Sequence, residues 1–300
     1  MLPYSYIDIL ISSVLAFIML GIGLTLTIQN FKDVVNEPKS LLIGLSSQII
    51  ALPIFAFVVT YFSDLPLPVK VGLILLISCP GASTSGFLTY FFKGNVALSV
   101  TFTTINSILT LFTIPFTVNL ALMFYYGSQT SIQLPFWETL RQIFLVTLIP
   151  ALVGALIRGR FPTFADNIKK PMNYVLLVAL AAVFFVKLFA SEEQGGTGIS
   201  ATEFWQIFPY GLLINIVSFI WGYYIIFINR LSNKDSFTIA IESAVHNTTL
   251  AFLVAGTLLQ NQDMVKPALV YSMFSFWTAI IFSIIVKLRL KLKTFEAFKD

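Results

Sequence analysis

Long apolar stretches separated by short charged turns recur along the whole chain. Nine of them cover roughly 7–28, 41–62, 70–92, 96–126, 142–157, 172–190, 205–228, 237–259 and 268–288. Most are close to the ~20 residues that cross a bilayer as a helix. No segment shows the alternating pattern over about 10 residues that a membrane barrel strand needs. The pattern predicts an all-α integral membrane protein of about nine transmembrane helices, forming one polytopic membrane domain over residues 1–300. The longest polar connection runs from Ser191 to Phe204 and contains Gly195, Gly196 and Gly198.

Composition agrees. The chain is 57% hydrophobic and 11% charged, with mean hydropathy +0.87, against roughly 25% charged in soluble domains. A water-soluble fold of this size could not hide so much apolar surface. The net charge of +4 therefore speaks to topology rather than to nucleic acid. With nine spans, Lys32, Lys39, Lys93, Arg158, Arg160, Lys169, Lys170, Arg230, Lys234, Lys287, Arg289, Lys291, Lys293 and Lys299 share the side of the C-terminus. Lys70, Arg141, Lys187 and Lys266 lie on the other. That 14 to 4 split puts the N-terminus outside and the C-terminus in the cytoplasm of a cell (inner or plasma) membrane. Met1–Asp8 holds no Lys or Arg and the first apolar run is long, so it reads as a span and not a cleavable signal. The single cysteine, Cys79, permits no internal disulfide.

Two spans break the apolar rule. The third holds Cys79-Pro80-Gly81-Ala82-Ser83-Thr84-Ser85-Gly86 and the eighth Glu242-Ser243-Ala244-Val245-His246-Asn247-Thr248-Thr249. Pro80 and two glycines loosen a helix, whereas Pro53, Pro115, Pro150 and Pro209 read as ordinary kinks. Glu242 is the only acid well inside a span, and at that depth it costs ~3 kcal/mol or more without a partner. The only histidine, His246, follows one helical turn later. The two broken spans are five apart and so cross in opposite directions. This is the pattern of inverted repeats with two crossing discontinuous helices meeting near the midplane. Their half-helix N-termini favour anions and their free carbonyls favour cations.

These residues resemble the bile acid:sodium symporter family over about Ser13 to Leu288. The motifs are Phe17–Gly23, Gln48, Cys79–Ser85, Thr89-Tyr90, Lys93–Ser99, Thr103-Thr104 and Glu242–Thr248. The resemblance implies a core domain (spans near 41–126 and 205–288) and a panel domain (spans near 7–28 and 142–190). Some family members have a further helix before the first span seen here. It also implies two sodium ions. One would be held by Ser85, Ser99, Thr103 and Glu242, the other by Gln48, Glu242, the carbonyls of Ser243 and Val245, and the side chain at His246. Two positions depart from the family's pattern. Gly86 stands where Asn is common, and His246 where Gln is common. An imidazole offers nitrogen, a poorer sodium ligand than an amide oxygen, and it titrates near neutral pH.

The function expected is sodium-coupled symport of an organic anion, bile-acid-like or a small carboxylate or sulfonate, by alternating access. Ser83, Thr84, Gly86, Asn247 and Thr248 would face the substrate. The alternatives are a proton-coupled or uncoupled carrier of the same fold and, further off, a metalloid exporter using Cys79 or a channel. No phosphate loop, metal-ligand cluster or activated nucleophile is present, so an enzyme is not expected, nor a cofactor beyond coupling sodium. The expected partners are the organic anion, sodium and the lipid bilayer, with no nucleic acid; the oligomeric state is left open. Lys187 is expected to snorkel to the outer surface. Lys287, Arg289, Lys291 and Lys293 are expected to meet anionic headgroups. Gln29–Lys39 is expected to lie at the interface.

Overall fold

A computed structural model describes residues 6–27, 32, 38–127, 133–191 and 196–296. The described residues are helical throughout, with no strand. The helices are α1 (Tyr6–Gly23), α2 (Lys39–Tyr61), α3 (Leu67–Ser78), α4 (Ser83–Phe91), α5 (Val96–Tyr126) and α6 (Phe136–Arg160). They continue as α7 (Pro162–Phe189), α8 (Ala201–Ile228), α9 (Asn233–Ala244), α10 (Thr248–Leu258) and α11 (Gln262–Glu296). Five of these, α2, α5, α6, α8 and α11, are long and apolar enough to cross a membrane. Most of the expected Gln29–Lys39 connector lies outside the described residues, as do the side chains of Arg289, Lys291 and Lys293.

The surface is the inverse of a soluble protein's. Phe62, Phe116, Leu156, Phe189 and Trp277 are exposed, while Ser99, Asn106, Asn215 and Glu242 are completely buried. Such a surface is stable only in lipid. The chain is a multi-pass membrane protein.

Two prolines follow a widened turn, whereas Pro115, Pro171, Pro209 and Pro267 lie within α-helix. A π-helical turn, Ser47–Ala51, precedes Pro53, and another, Phe144–Leu148, precedes Pro150. A proline ring clashes with the carbonyl one turn earlier, and a widened turn relieves that clash without leaving the helix.

Three helices form one packed group. α1 lies against α6 so closely that a Cβ on Gly23 would sit 2.1 Å from the Ala151 carbonyl oxygen. A Cβ on Gly154 would sit 2.3 Å from the Leu20 oxygen. α7 packs on both α1 and α6. The remaining helices build around α3, whose residues Val71–Ile77 are fully buried on every side. A helix apolar on all faces belongs at the centre of such a bundle.

Polar bonds tie the helix starts together. Asn95 caps α5 by accepting from Leu98 N–H (3.1 Å) and donates through Nδ2 to Asp235 Oδ1 (2.8 Å) at the start of α9. Ser40 Oγ at the start of α2 donates to Asp235 Oδ2 (2.7 Å).

Lys187 departs from its expectation. It is only 1% exposed. Its Nζ donates to Gln262 Oε1 at 3.3 Å and lies 3.4 Å from where a Gly256 Cβ would stand. The side chain therefore turns into the protein, where a side-chain-free position leaves room for it and an amide oxygen accepts its proton.

Substituting Gly154→Leu should push α1 off α6 and lower stability by about 1–3 kcal/mol. Gly159→Leu, where nothing lies within 4 Å, should leave it unchanged. Thermal unfolding of the two detergent-solubilised variants measures the difference.

Candidate functional site

The two interruptions are made by different local chemistry. Residues before a proline are driven out of the helical region. Cys79, before Pro80, is accordingly extended at φ −72°, ψ 147°, and ends α3. The chain stays extended through Ala82 before α4 begins. Between α9 and α10 no proline is needed. Val245 leaves the helix at φ −112°, ψ 86°. Asn247 then caps α10, its Oδ1 accepting from Leu250 N–H at 3.0 Å.

The two extended segments bond to each other. Ala82 N–H donates to Val245 O (3.1 Å) and Asn247 N–H donates to Pro80 O (2.8 Å), making an antiparallel bridge between Gly81 and His246. Each break satisfies backbone groups that the other exposes.

Glu242, fully buried, sits two residues before the end of α9, directly under this bridge. A Cβ on Gly81 would stand 2.2 Å from Glu242 Oε2, so only glycine admits the carboxylate here. Three hydroxyls from two other helices converge on it. Ser99 Oγ donates to Oε1 at 2.5 Å and Thr103 Oγ1 to Oε2 at 2.7 Å, while Ser85 Oγ lies 2.9 Å from Oε1 and 2.6 Å from the Ala82 carbonyl, which share its one hydrogen. Ser99 and Thr103 are one turn apart on α5, so they reach the same carboxylate. The set is a carboxylate and three hydroxyls, all hard oxygens, which is the donor chemistry of alkali and alkaline-earth cations. Among the described residues no lysine or arginine pairs with Glu242.

The other expected residues are arranged differently. Gln48 Nε2 and His246 Nδ1 both face the Cys79 carbonyl oxygen, at 3.3 and 3.2 Å, and lie 3.3 Å from each other. The Val245 carbonyl accepts from Ala82. Gln48 Oε1, Ser243 Oγ, His246 Nε2 and Asn247 Nδ2 are buried polar atoms with no partner among the described residues. The Cys79 thiol is buried in the apolar core.

A cavity of ≈ 120 Å³ opens beside the bridge, lined by Ala82, Thr84, Val245, His246, Asn247, Thr248 and Thr249, by Ser272, Ser275 and Phe276 of α11, and by Ile18 and Leu180. Thr84, Asn247 and Thr248 were expected at a substrate site. The side chain of Ser83 lies outside the described residues, and Gly86 is not on the cavity wall; its nearest neighbour is Ser99 Oγ.

Several polar residues at or near the site were not expected. Asn106 is fully buried with both amide atoms unpartnered. It follows Ser99 and Thr103 at helical spacing, a file visible in the sequence. Tyr271 OH donates to Ala244 O (2.6 Å), and Asn215 Nδ2 donates both to Ala244 O (3.0 Å) and to Tyr271 OH (2.8 Å). Together they satisfy a carbonyl left free at the end of α9. Only a lone Asn within an apolar span pointed to this pair.

A profile of the sodium bile acid symporter family matches residues 12–195. The chain belongs to that family. It is similar to the probable sodium/metabolite cotransporter BASS2, chloroplastic, of Oryza sativa subsp. japonica, with 30% identity over 260 residues, 85% of this chain and 58% of that protein. It is 26% identical over 274 residues to the uncharacterized sodium-dependent transporter YocS of Bacillus subtilis, covering 91% of this chain and 81% of that one. The human ileal sodium/bile acid cotransporter is 25% identical over 277 residues, 89% of this chain and 76% of its own length. The sodium bile acid symporter family is a family of transporters, not of enzymes.

Removing both donors to Ala244 O should cost more than the two single losses. Tyr271→Phe and Asn215→Leu should each lower stability by about 1 kcal/mol, and the double variant should lose more than their sum, because a buried carbonyl is then left unpaired. A double-mutant cycle by thermal unfolding checks this.

Proposed function

We propose that the protein is a secondary transporter that carries an organic anion across the membrane together with sodium, by alternating access. The observation that carries this reading is the fully buried Glu242 carboxylate, surrounded by three hydroxyls where two interrupted helices meet. A carboxylate in a low-dielectric site needs a counter-charge, and a small hard cation supplies one. Similarity to proteins named as sodium cotransporters supports sodium as that ion.

In this reading α3–α4 and α9–α10 each make one crossing, giving nine in all, with inverted repeats placing the two broken spans in opposite directions. The 14 to 4 division of Lys and Arg supports an N-terminus outside and a C-terminus in the cytoplasm. α1, α6 and α7 are the panel, and the remaining helices are the core. The cavity between Ile18 and Leu180 on one side and Thr84, Asn247 and Thr248 on the other takes the anion, near the N-terminal ends of α4 and α10.

Glu242, Ser85, Ser99 and Thr103 hold the coupling sodium. A second sodium ion would draw on Glu242, the Val245 carbonyl and the buried oxygens Gln48 Oε1 and Ser243 Oγ, which have no partner among the described residues; His246 would offer it nitrogen in place of an amide oxygen.

Sodium, but not potassium or choline, should raise the melting temperature of the protein in detergent, since a ligand that binds only the folded state stabilises it by mass action. Glu242→Gln should abolish that shift. Ser99→Ala and Thr103→Val should each weaken sodium affinity on the order of tenfold, equivalent to ~1.4 kcal/mol. A Glu242→Gln protein with an unchanged sodium response would overturn the assignment.

A further inference from the structure

α2 and α8 run antiparallel and leave a groove between them on the lipid-facing surface. Two hydrogen bonds fix the pairing. Trp221 Nε1 of α8 donates to Ser47 Oγ of α2 at 2.6 Å, and Lys39 Nζ at the start of α2 donates to Asn229 O at the end of α8 at 3.4 Å. The groove is walled by Leu42, Ser46 and Ile50 on one side and by Trp221, Ile225 and Asn229 on the other. Each trio is spaced by four residues and so forms a file along its helix, which gives the groove a length of about 12 Å. It encloses ≈ 470 Å³, within the ~300–1,000 Å³ of small-molecule sites. Its depth comes from the small side chains Ser46, Ser47 and Ala51 at the π-helical turn before Pro53.

Along its length the wall offers little to a polar ligand. Ser46 Oγ donates to Leu42 O (2.8 Å), Ser47 Oγ accepts from Trp221, and Asn229 Nδ2 donates to Ile225 O (2.7 Å). Leu42, Ile50 and Trp221 are exposed. Such a wall suits hydrocarbon, because a polar group entering it would give up its hydrogen bonds to water without replacement. The end at Asn229 is different. Lys39, Arg230 and Lys234 are all exposed there. The Ser40–Asp235 bond holds the start of α2 beside the start of α9 and so brings Lys39 and Lys234 to the same end. Asp235 is the one carboxylate among them, and it accepts from Ser40 and Asn95. Among the described residues none of the three cations forms an ion pair.

We propose that this groove is a binding site for an anionic phospholipid, with one acyl chain lying between α2 and α8 and the phosphate held by Lys39 and Arg230. A phospholipid joins hydrocarbon to negative charge in one molecule, in the order in which the groove presents an apolar channel and a basic end. In the proposed orientation that end faces the cytoplasm, the side on which basic clusters next to a span attract anionic lipid. A second copy of the chain complements the groove less well. Across a two-fold axis the same patch meets itself, and the basic cluster would stand beside its own image.

The test uses the full chain, delipidated in detergent, with bound lipid counted by native mass spectrometry and thermal stabilisation measured alongside. Dioleoyl phosphatidylglycerol should be retained as one tightly held copy, on the order of tenfold tighter than dioleoyl phosphatidylcholine, which has the same chains and no net charge. Glycerol phosphate, which has the charge and no chain, should give no thermal shift. Lys39→Gln combined with Arg230→Gln should bring phosphatidylglycerol down to the phosphatidylcholine level. Ser46→Phe, which fills the groove from an exposed position, should abolish the tightly held copy. Equal retention of the two lipids by the wild type, unchanged phosphatidylglycerol binding in either variant, or a shift with glycerol phosphate as large as with the lipid overturns the proposal. A Ser46→Phe protein that loses a dimer and keeps its lipid assigns the groove to a second copy and overturns it as well. Should Ser46→Phe fail to fold, the wild-type lipid ratio and the charge variant decide alone.

Discussion

The architecture depends on a trade of backbone hydrogen bonds. Unsatisfied backbone groups buried in an apolar interior cost several kcal/mol each, and this chain has two non-helical stretches between buried helices. Ala82 and Val245 satisfy one pair, Asn247 and Pro80 the other. Neither break is stable without its partner, so the two interrupted helices are locked together as a unit. The bridge sets Gly81 over the Glu242 carboxylate, where a Cβ would come within 2.2 Å of Oε2. The position of the acid and the position of the bridge are therefore one constraint. Ser85, Ser99 and Thr103 then follow from helical spacing on α4 and α5.

The spans were legible because lipid imposes a length and a polarity that few other environments impose. The α5 boundaries Val96–Tyr126 coincide with the apolar run that predicts them, and α6 and α7 differ only by polar or amphipathic ends. The breaks were legible for chemical reasons. Pro80 forces Cys79 out of the helix, and a lone acid in an apolar span needs a cavity or an ion. What the sequence hid was partner choice. Nothing in the order of residues says that Tyr271 and Asn215 both turn to Ala244 O, or that Lys187 turns inward to Gln262. Those contacts depend on how helices distant in sequence are laid side by side. The π-helical turns before Pro53 and Pro150 were hidden for the same reason that prolines in spans look harmless, since the strain is absorbed over a full turn.

The two departures from the family pattern have different weights. At Gly86 the loss is modest, because three hydroxyls already converge on Glu242 and the nearest atom to a Cβ there would be Ser99 Oγ at 3.7 Å. A side-chain oxygen at that position would be an addition to a set that is complete in kind. At His246 the change is qualitative. An imidazole offers ring nitrogens where an amide offers an oxygen, and Nδ1 lies 3.2 Å from the Cys79 carbonyl. The residue next in chain, Asn247, is fixed by its cap. Two adjacent side chains are thereby frozen in orientation by groups that are themselves part of the helix breaks.

That rigidity bears on how such a carrier would move. The core side of the cavity is built from backbone-locked segments and polar side chains, while the opposite wall is contributed by Ile18 and Leu180. An apolar wall can slide past a polar one without breaking hydrogen bonds, so a rigid-body displacement of α1, α6 and α7 costs little along this part of the seam. The glycine contacts between Gly23, Gly154 and the facing backbone keep α1 and α6 together as one body during such a displacement. Further along the same seam, a buried ammonium of α7 meets an amide of α11. In the proposed reading, the face that would slide is apolar at the cavity and polar where Lys187 meets Gln262.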